Sequence, residues 1–351
     1  MKHVHGGDWA GFESEYGKRP LDFSANISPL GLPEGVRAAA IQALETADRY
    51  PDPLCRALRA ALSAHYDVPA EKIVCGNGAS DLIYRLCHTL RPKKAAVFVP
   101  GFAEYALALR EVGSAVAEIP LEKDSFRLTG NQLVRIPGDC ELLFLCNPNN
   151  PTGLLTERET LLKLLQFCRE RGTILALDEC FLDFCQCAEE HSLVSQLESH
   201  PGLVILKAFT KTYAMAGLRL GYAICGSAGL AERLQSCGQP WAVSGLAQAA
   251  GIKALCEENY VNQMRALITA ERQRVYAALA ALGLRVLPGE ANYLLFLSTD
   301  LSLAETLRRR GILIRDCANF AGLARGWYRI AIRTEAENDM LLNAIREVLH
   351  G

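Results

Sequence analysis

A lysine becomes a nucleophile only when it sheds its proton, and Lys211 stands where a fold could arrange that. It lies in KAFTKTY, residues 207–213, directly after an apolar run. Most lysines are solvated surface charges, so its neighbours decide the matter. Eight residues on is Arg219, in GLRLGY at 217–222. Glycines on both sides suggest close backbone packing around a buried guanidinium, whose fork suits a phosphate. Asp178 follows the apolar run 174–177 and so falls at the C-terminal end of a strand, where open α/β sheets bind ligands. A helix cap or a surface acid would look the same in sequence.

Two loops complete the set. GNGAS at 76–80 lies between a strand and a helix, and the free N–H groups of a helix start can hold a phosphate. Asp81 occupies the place of the third glycine of a dinucleotide fingerprint, and no Gly-Lys-Ser/Thr ending follows, so a single phosphate fits better than a nucleotide. NPNNPTG at 147–153 reads first as a stiff turn. Stiffness also aims its asparagine amides.

The elements that must position these groups alternate along the chain. Apolar runs at 73–75, 95–99, 142–146, 174–177, 203–206 and 222–225 are continuous, as in strands buried on both faces of a mostly parallel sheet. Helix patterns lie between them at 80–90, 103–112 and 157–171, giving the α/β signature. Residues 247–282 read as one long connecting helix. Strand patterns at 284–287, 293–297, 312–315 and 328–332, with helices at 302–310 and 335–349, predict a smaller α+β domain. The N-terminal segment shows no strand run of its own and is expected to join it. The expected division is a large domain over 49–245 and a small domain from 1–48 with 246–351.

The chain has 351 residues, 50% hydrophobic and 22% charged, and a net charge of −2. That length calls for two domains, and that charge gives no broad pull toward nucleic acid or anionic lipid. The first residues carry no signal-peptide core and no apolar stretch would cross a bilayer, so a soluble, cytoplasmic protein is expected. Thirteen cysteines mostly sit in apolar runs and read as small buried hydrophobes. Cys180, Cys185 and Cys187 cluster without the spacing of a zinc site, so no metal is expected.

Taken in order, Asn-Pro-Thr-Gly, Asp178, Lys211 and Arg219 resemble the fold-type I pyridoxal-5′-phosphate (PLP) enzymes of the class I/II aminotransferase-like family, over nearly the whole chain. The resemblance implies an α/β fold with a mostly parallel central sheet plus a smaller α+β domain. It implies that Lys211 holds the cofactor as a Schiff base, Asp178 meets the pyridinium nitrogen and Asn150 lies near the ring oxygen O3′. Arg219, Gly78, Ala79 and Ser80 fall where the family holds the cofactor phosphate. Phe102 falls at the ring-stacking position. Tyr50 falls where a tyrosine reaches the neighbouring subunit's cofactor, which implies a homodimer with shared sites. Two departures stand out. Phe181 replaces a tyrosine that would donate to O3′, and Ala208 replaces a phosphate-binding serine, for which Thr210 could compensate.

HGG at 5–7, DFSANISPLG at 22–31, PGFAEY at 100–105, ILIRDCAN at 312–319 and WYRIAIR at 327–333 resemble one branch of that family, which decarboxylates L-threonine O-3-phosphate in the cobalamin pathway. That branch implies a phosphorylated amino acid as substrate. Arg329 would meet the carboxylate, Arg315 with His5 the substrate phosphate, and Asn26 would share the pocket. The role of Arg333, expected on the same strand face as Arg329, stays open. The alternative within the family is an aminotransferase acting on histidinol phosphate. A PLP-binding transcription regulator would need a basic helical segment before Tyr50, which is absent.

Overall fold

The computed structural model of the chain describes residues 6–350. In chain order the strands are β1 Leu21–Asp22, β2 Ile73–Gly76, β3 Lys94–Val99, β4 Ala115–Pro120, β5 Leu142–Cys146, β6 Ile174–Asp178, β7 Leu203–Ala208 and β8 Gly221–Cys225. The C-terminal part adds β9 Arg285–Val286, β10 Tyr293–Leu297, β11 Ile312–Leu313, β12 Arg315–Asp316 and β13 Trp327–Ala331.

Strands β2 to β8 form a sheet in the order β2-β8-β7-β6-β5-β3-β4. Pairing is parallel from β4 through β7, and β8 runs antiparallel to both β7 and β2. The continuous apolar runs follow from burial on both faces. Leu143, Leu145, Leu175, Leu177 and Ile205 enter one core, while Phe144, Ala176, Val204 and Leu206 enter the other.

Register then lines up the chemistry. Cys146 pairs with Asp178 and Asp178 with Leu206, so the 147–153 turn, Asp178 and the approach to Lys211 share one sheet edge. Because β8 is antiparallel, its first residue Gly221 pairs with both Gly76 and Ala208. Its start, with Arg219 just before it, thus meets the loop after β2 at that same edge. Glycine at 221 is required there, since a Cβ would come within 2.6 Å of the Ala79 nitrogen.

A second, antiparallel sheet has the order β12-β13-β10-β9. Leu21–Asp22 pairs with β11, a strand that the polar N-terminal sequence did not predict. The run 312–315 divides into two two-residue strands in different sheets. Edge strand β4 was also unforeseen, because its residues are mostly half-buried or exposed rather than a buried run. The expected single helix 247–282 is two helices, Gly245–Ala254 and Glu258–Ala281. The first ends as its hydrogen bonds tighten, with Cys256 N–H on Lys253 O and Glu257 N–H on Ala254 O. It packs against Glu34–Ala43, and Val36 of that helix enters the core under the large sheet, whereas Phe23 belongs to the small-sheet core. No helix among the described residues is long and apolar enough to cross a membrane.

Candidate active site

A cavity of about 810 Å³ opens at the C-terminal edge of the large sheet, against the small sheet. Asp178, Lys211, Arg219, Asn150, Arg315 and Arg329 all line it.

Asp178 ends β6 and is buried. Its Oδ2 accepts the Tyr105 hydroxyl at 2.6 Å and its Oδ1 accepts the Cys180 backbone N–H at 2.9 Å. Burial and the Asp178 charge push the Cys180 thiol well up, so it stays protonated beside the carboxylate. Tyr105 itself stacks on Phe144, with centroids 4.8 Å apart and planes 6° apart, so its hydroxyl is fixed in direction.

Lys211 lies in the short helical turn Phe209–Thr212 after β7. Burial, then the Arg329 and Arg219 guanidinium charges, pull its ammonium down from 10.5 to about 8, with Cys180 and Asp178 opposing them. The Phe181 ring lies 6.0 Å from Nζ and packs edge-on against Tyr293.

Arg219 corrects an expectation. It is exposed rather than buried, with a left-handed φ of 56°. Its guanidinium lies over Gly78, so close that a Cβ there would come within 2.5 Å of Nη2. Glycine at 78, with φ +81°, therefore opens the helix Gly78–Leu90 beneath the arginine. Arg219 makes no hydrogen bond or ion pair among the described residues, so its donors are available to an anion. Ala79 and Ser80 line the cavity at that helix start, as do Phe102 and Thr210. Thr210 Oγ1 donates to the Leu220 carbonyl at 3.5 Å.

Arg315 and Arg329 are partners in register across β12 and β13, which puts both side chains on one face. Arg329 is 6% exposed. Its Nη1 donates to Asn150 Oδ1 at 2.5 Å and its Nη2 to the Ser24 carbonyl at 3.0 Å. With its amide oxygen turned inward, Asn26 accepts from Nε at 3.3 Å and Nη1 at 3.2 Å. Every one of these acceptors is neutral. Arg315 is held by Asn319 Oδ1 at 2.8 Å and lies over the Phe320 ring. Arg333 does not join them. It lies past the end of β13, donating to the Asp22 carbonyl at 3.2 Å and to Glu337 at 2.6 Å. His5 lies outside the described residues, although Gly6 lines the cavity. Tyr50 is 79% exposed and stacks on Trp241 away from the cavity.

The donor set fits PLP: a fixed carboxylate for a pyridinium, an amine of lowered basicity, and an unpaired guanidinium above a glycine-opened helix start for a phosphate. The sequence pattern of the class I and II aminotransferases matches residues 18–345. The chain belongs to that family. Within it, the chain is 40% identical to threonine-phosphate decarboxylase of Salmonella typhimurium, over 99% of this chain and 97% of that protein. It is 35% identical to a histidinol-phosphate aminotransferase of Desulfitobacterium hafniense, covering 93% and 91%. Among solved structures, L-threonine-O-3-phosphate decarboxylase from Porphyromonas gingivalis superposes with a TM-score of 0.82 at 25% identity, covering 94% of this chain and 99% of that one.

Sequence reasoning missed Tyr105 as the partner of Asp178, and Ser24 as a carbonyl anchor of Arg329. Both stood inside motifs already singled out, PGFAEY and DFSANISPLG, which is the one signal that could have found them.

Proposed function

We propose that the chain is a homodimeric cytoplasmic enzyme that uses PLP to decarboxylate L-threonine O-3-phosphate, giving (R)-1-amino-2-propanol O-phosphate for cobalamin biosynthesis. The pairing of Arg315 with Arg329 carries the reading. The two lie opposite each other, face one cavity with Lys211, and neither has a carboxylate partner among the described residues. Like charges side by side repel, and a substrate with two anionic groups relieves both.

Bound PLP supplies the sink for the electron pair left at Cα when carbon dioxide departs. Asp178, fixed by Tyr105 and Cys180, keeps a proton on the ring nitrogen. Lys211 carries the cofactor and afterwards holds the proton destined for Cα. Arg329 would hold the substrate carboxylate, the group that departs, at the wall of the cavity. Arg315, steadied by Asn319, takes the substrate phosphate, with His5 as a further contact. Asn150 serves the ring oxygen, and Arg219 with the start of Gly78–Leu90 takes the cofactor phosphate. Phe102 and Phe181 form apolar walls that exclude water.

A second reading, amino transfer from histidinol phosphate, is favoured by the 35% identical relative. The test is direct. Purified enzyme with PLP should release carbon dioxide from threonine phosphate and leave the amine phosphate. Rapid amino transfer from histidinol phosphate to 2-oxoglutarate, with no carbon dioxide from threonine phosphate, replaces the first reading with the second.

A further inference from the structure

Asp22 is a carboxylate that the proposed chemistry does not use, yet it is only 3% exposed. It has no ion-pair partner among the described residues. Its Oδ1 accepts the Ser24 N–H at 2.7 Å and the Ser24 hydroxyl at 2.6 Å. Its Oδ2 accepts the Trp9 indole N–H at 2.7 Å. Ser24 in turn presents its carbonyl to Arg329 and accepts the Gly7 N–H on its hydroxyl at 2.8 Å. The segment is held from both sides, since Phe23 N–H donates to Leu313 O and Phe23 O accepts from Ala331 N–H, each at 2.8 Å. Those contacts fall two residues from Arg315 and Arg329.

The relation to Arg329 has a specific logic. A buried guanidinium surrounded by neutral acceptors needs some negative potential to stay where it is. A carboxylate in direct contact would supply it but would also occupy the fork that must receive an anion. Asp22 stands one residue removed. Its charge is felt at Arg329, while the neutral carbonyl of Ser24, the residue whose N–H and hydroxyl Asp22 holds, makes the contact. The nearby cation Arg333 is answered separately by Glu337.

We propose that Asp22 is a positioning residue for substrate carboxylate recognition, holding Ser24 so that its carbonyl anchors Arg329 at the cavity without a carboxylate in direct contact. This rests on the reading of Arg329 as the carboxylate site, and the comparison of two ligands separates the failures. Threonine phosphate carries the carboxylate and (R)-1-amino-2-propanol O-phosphate does not. In the holoenzyme, Asp22→Asn should raise the KM for threonine phosphate about tenfold with kcat within about twofold. The Kd of the amine phosphate, read from the absorbance of the bound cofactor, should stay within about twofold, and so should the Kd of PLP. Trp9→Phe, a change at a half-exposed helix end, keeps the charge but frees its orientation, and should move KM the same way by about threefold. It serves alone if Asp22→Asn does not fold. Equal weakening of both ligands would mean a general structural role and overturns the inference, as does no change in either. Wild-type enzyme that binds the two ligands equally takes down the Arg329 reading itself, and the inference with it.

Discussion

Tyr105 donates its phenolic hydrogen to Oδ2 of Asp178 at 2.6 Å from a ring clamped on Phe144. The bond joins the helix after β3 to the end of β6. It sets how strongly the carboxylate can compete for the proton it shares with a ring nitrogen. Tyr105→Phe removes a hydrogen bond to a charged group, worth roughly 1.5–3 kcal/mol, and makes Asp178 the better base. The shared proton moves toward Asp178, so kcat should fall by about tenfold or more with KM little changed. Steady-state kinetics beside a PLP titration check this, and a change in KM alone would contradict it.

Lys211 gives a pH prediction with a definite sign. Its folded-state pKa of about 8 lies below the ordinary 10.5, because burial and the two guanidinium groups disfavour the ammonium. Between those values the unfolded chain binds more protons than the folded one, so the stability of cofactor-free protein should rise as pH climbs through that window. Thermal melts at several pH values should show the rise in wild type and lose it in Lys211→Ala. The same variant should lose the borohydride-reducible PLP adduct. In wild type the rate of adduct formation should level off near pH 8 rather than above pH 10.

Phe181 has no hydroxyl where a relative's tyrosine would donate to O3′. Without that donor, the protonated Lys211–cofactor linkage gains over the neutral one. Phe181→Tyr should lower the pH at which the linkage loses its proton by about one to two units, from roughly 1.5–3 kcal/mol for the hydrogen bond at about 1.36 kcal/mol per unit. Absorbance titration of both proteins reads this. An unchanged or higher value places the residue away from O3′.

Tyr50 lies exposed against Trp241 in the single chain, which suits a role toward a second copy. Sedimentation should find a dimer, and Tyr50→Phe should weaken PLP binding by about tenfold while leaving the dimer intact. A fully active monomer would rule out shared sites.

Much of this was legible before any coordinates. Residues 142–146, 174–177 and 203–206 are unbroken apolar runs because both faces of β5, β6 and β7 are covered, and each run leads into a chemical residue or loop, so Asp178, Asn150 and Lys211 could be placed on one edge. Strand β4 was hidden because an edge strand with Glu118 and exposed neighbours carries no such run. The exposure of Arg219 was hidden because a flanking glycine such as Gly221 reports a close backbone approach, here to Ala79, and not the burial of its neighbour. The Tyr105–Asp178 bond spans 73 residues, and no local pattern encodes which hydroxyl a carboxylate will meet. The division of 312–315 was lost because strand propensity does not say which sheet a residue will join.

The contacts around Arg329 also fix an order of events during synthesis. Its bond to Asn150 joins residues 179 apart, and its bond to the Ser24 carbonyl joins residues 305 apart. A nascent chain can complete the large sheet, with Asp178 and Lys211 at its edge, while the carboxylate pocket still has only one wall. At roughly 5–20 residues per second, the interval between emergence of Lys211 and of Arg329 lasts several seconds. In that interval Asp178 and Lys211 have left the ribosome, while the arginine proposed to recognise the substrate carboxylate has not.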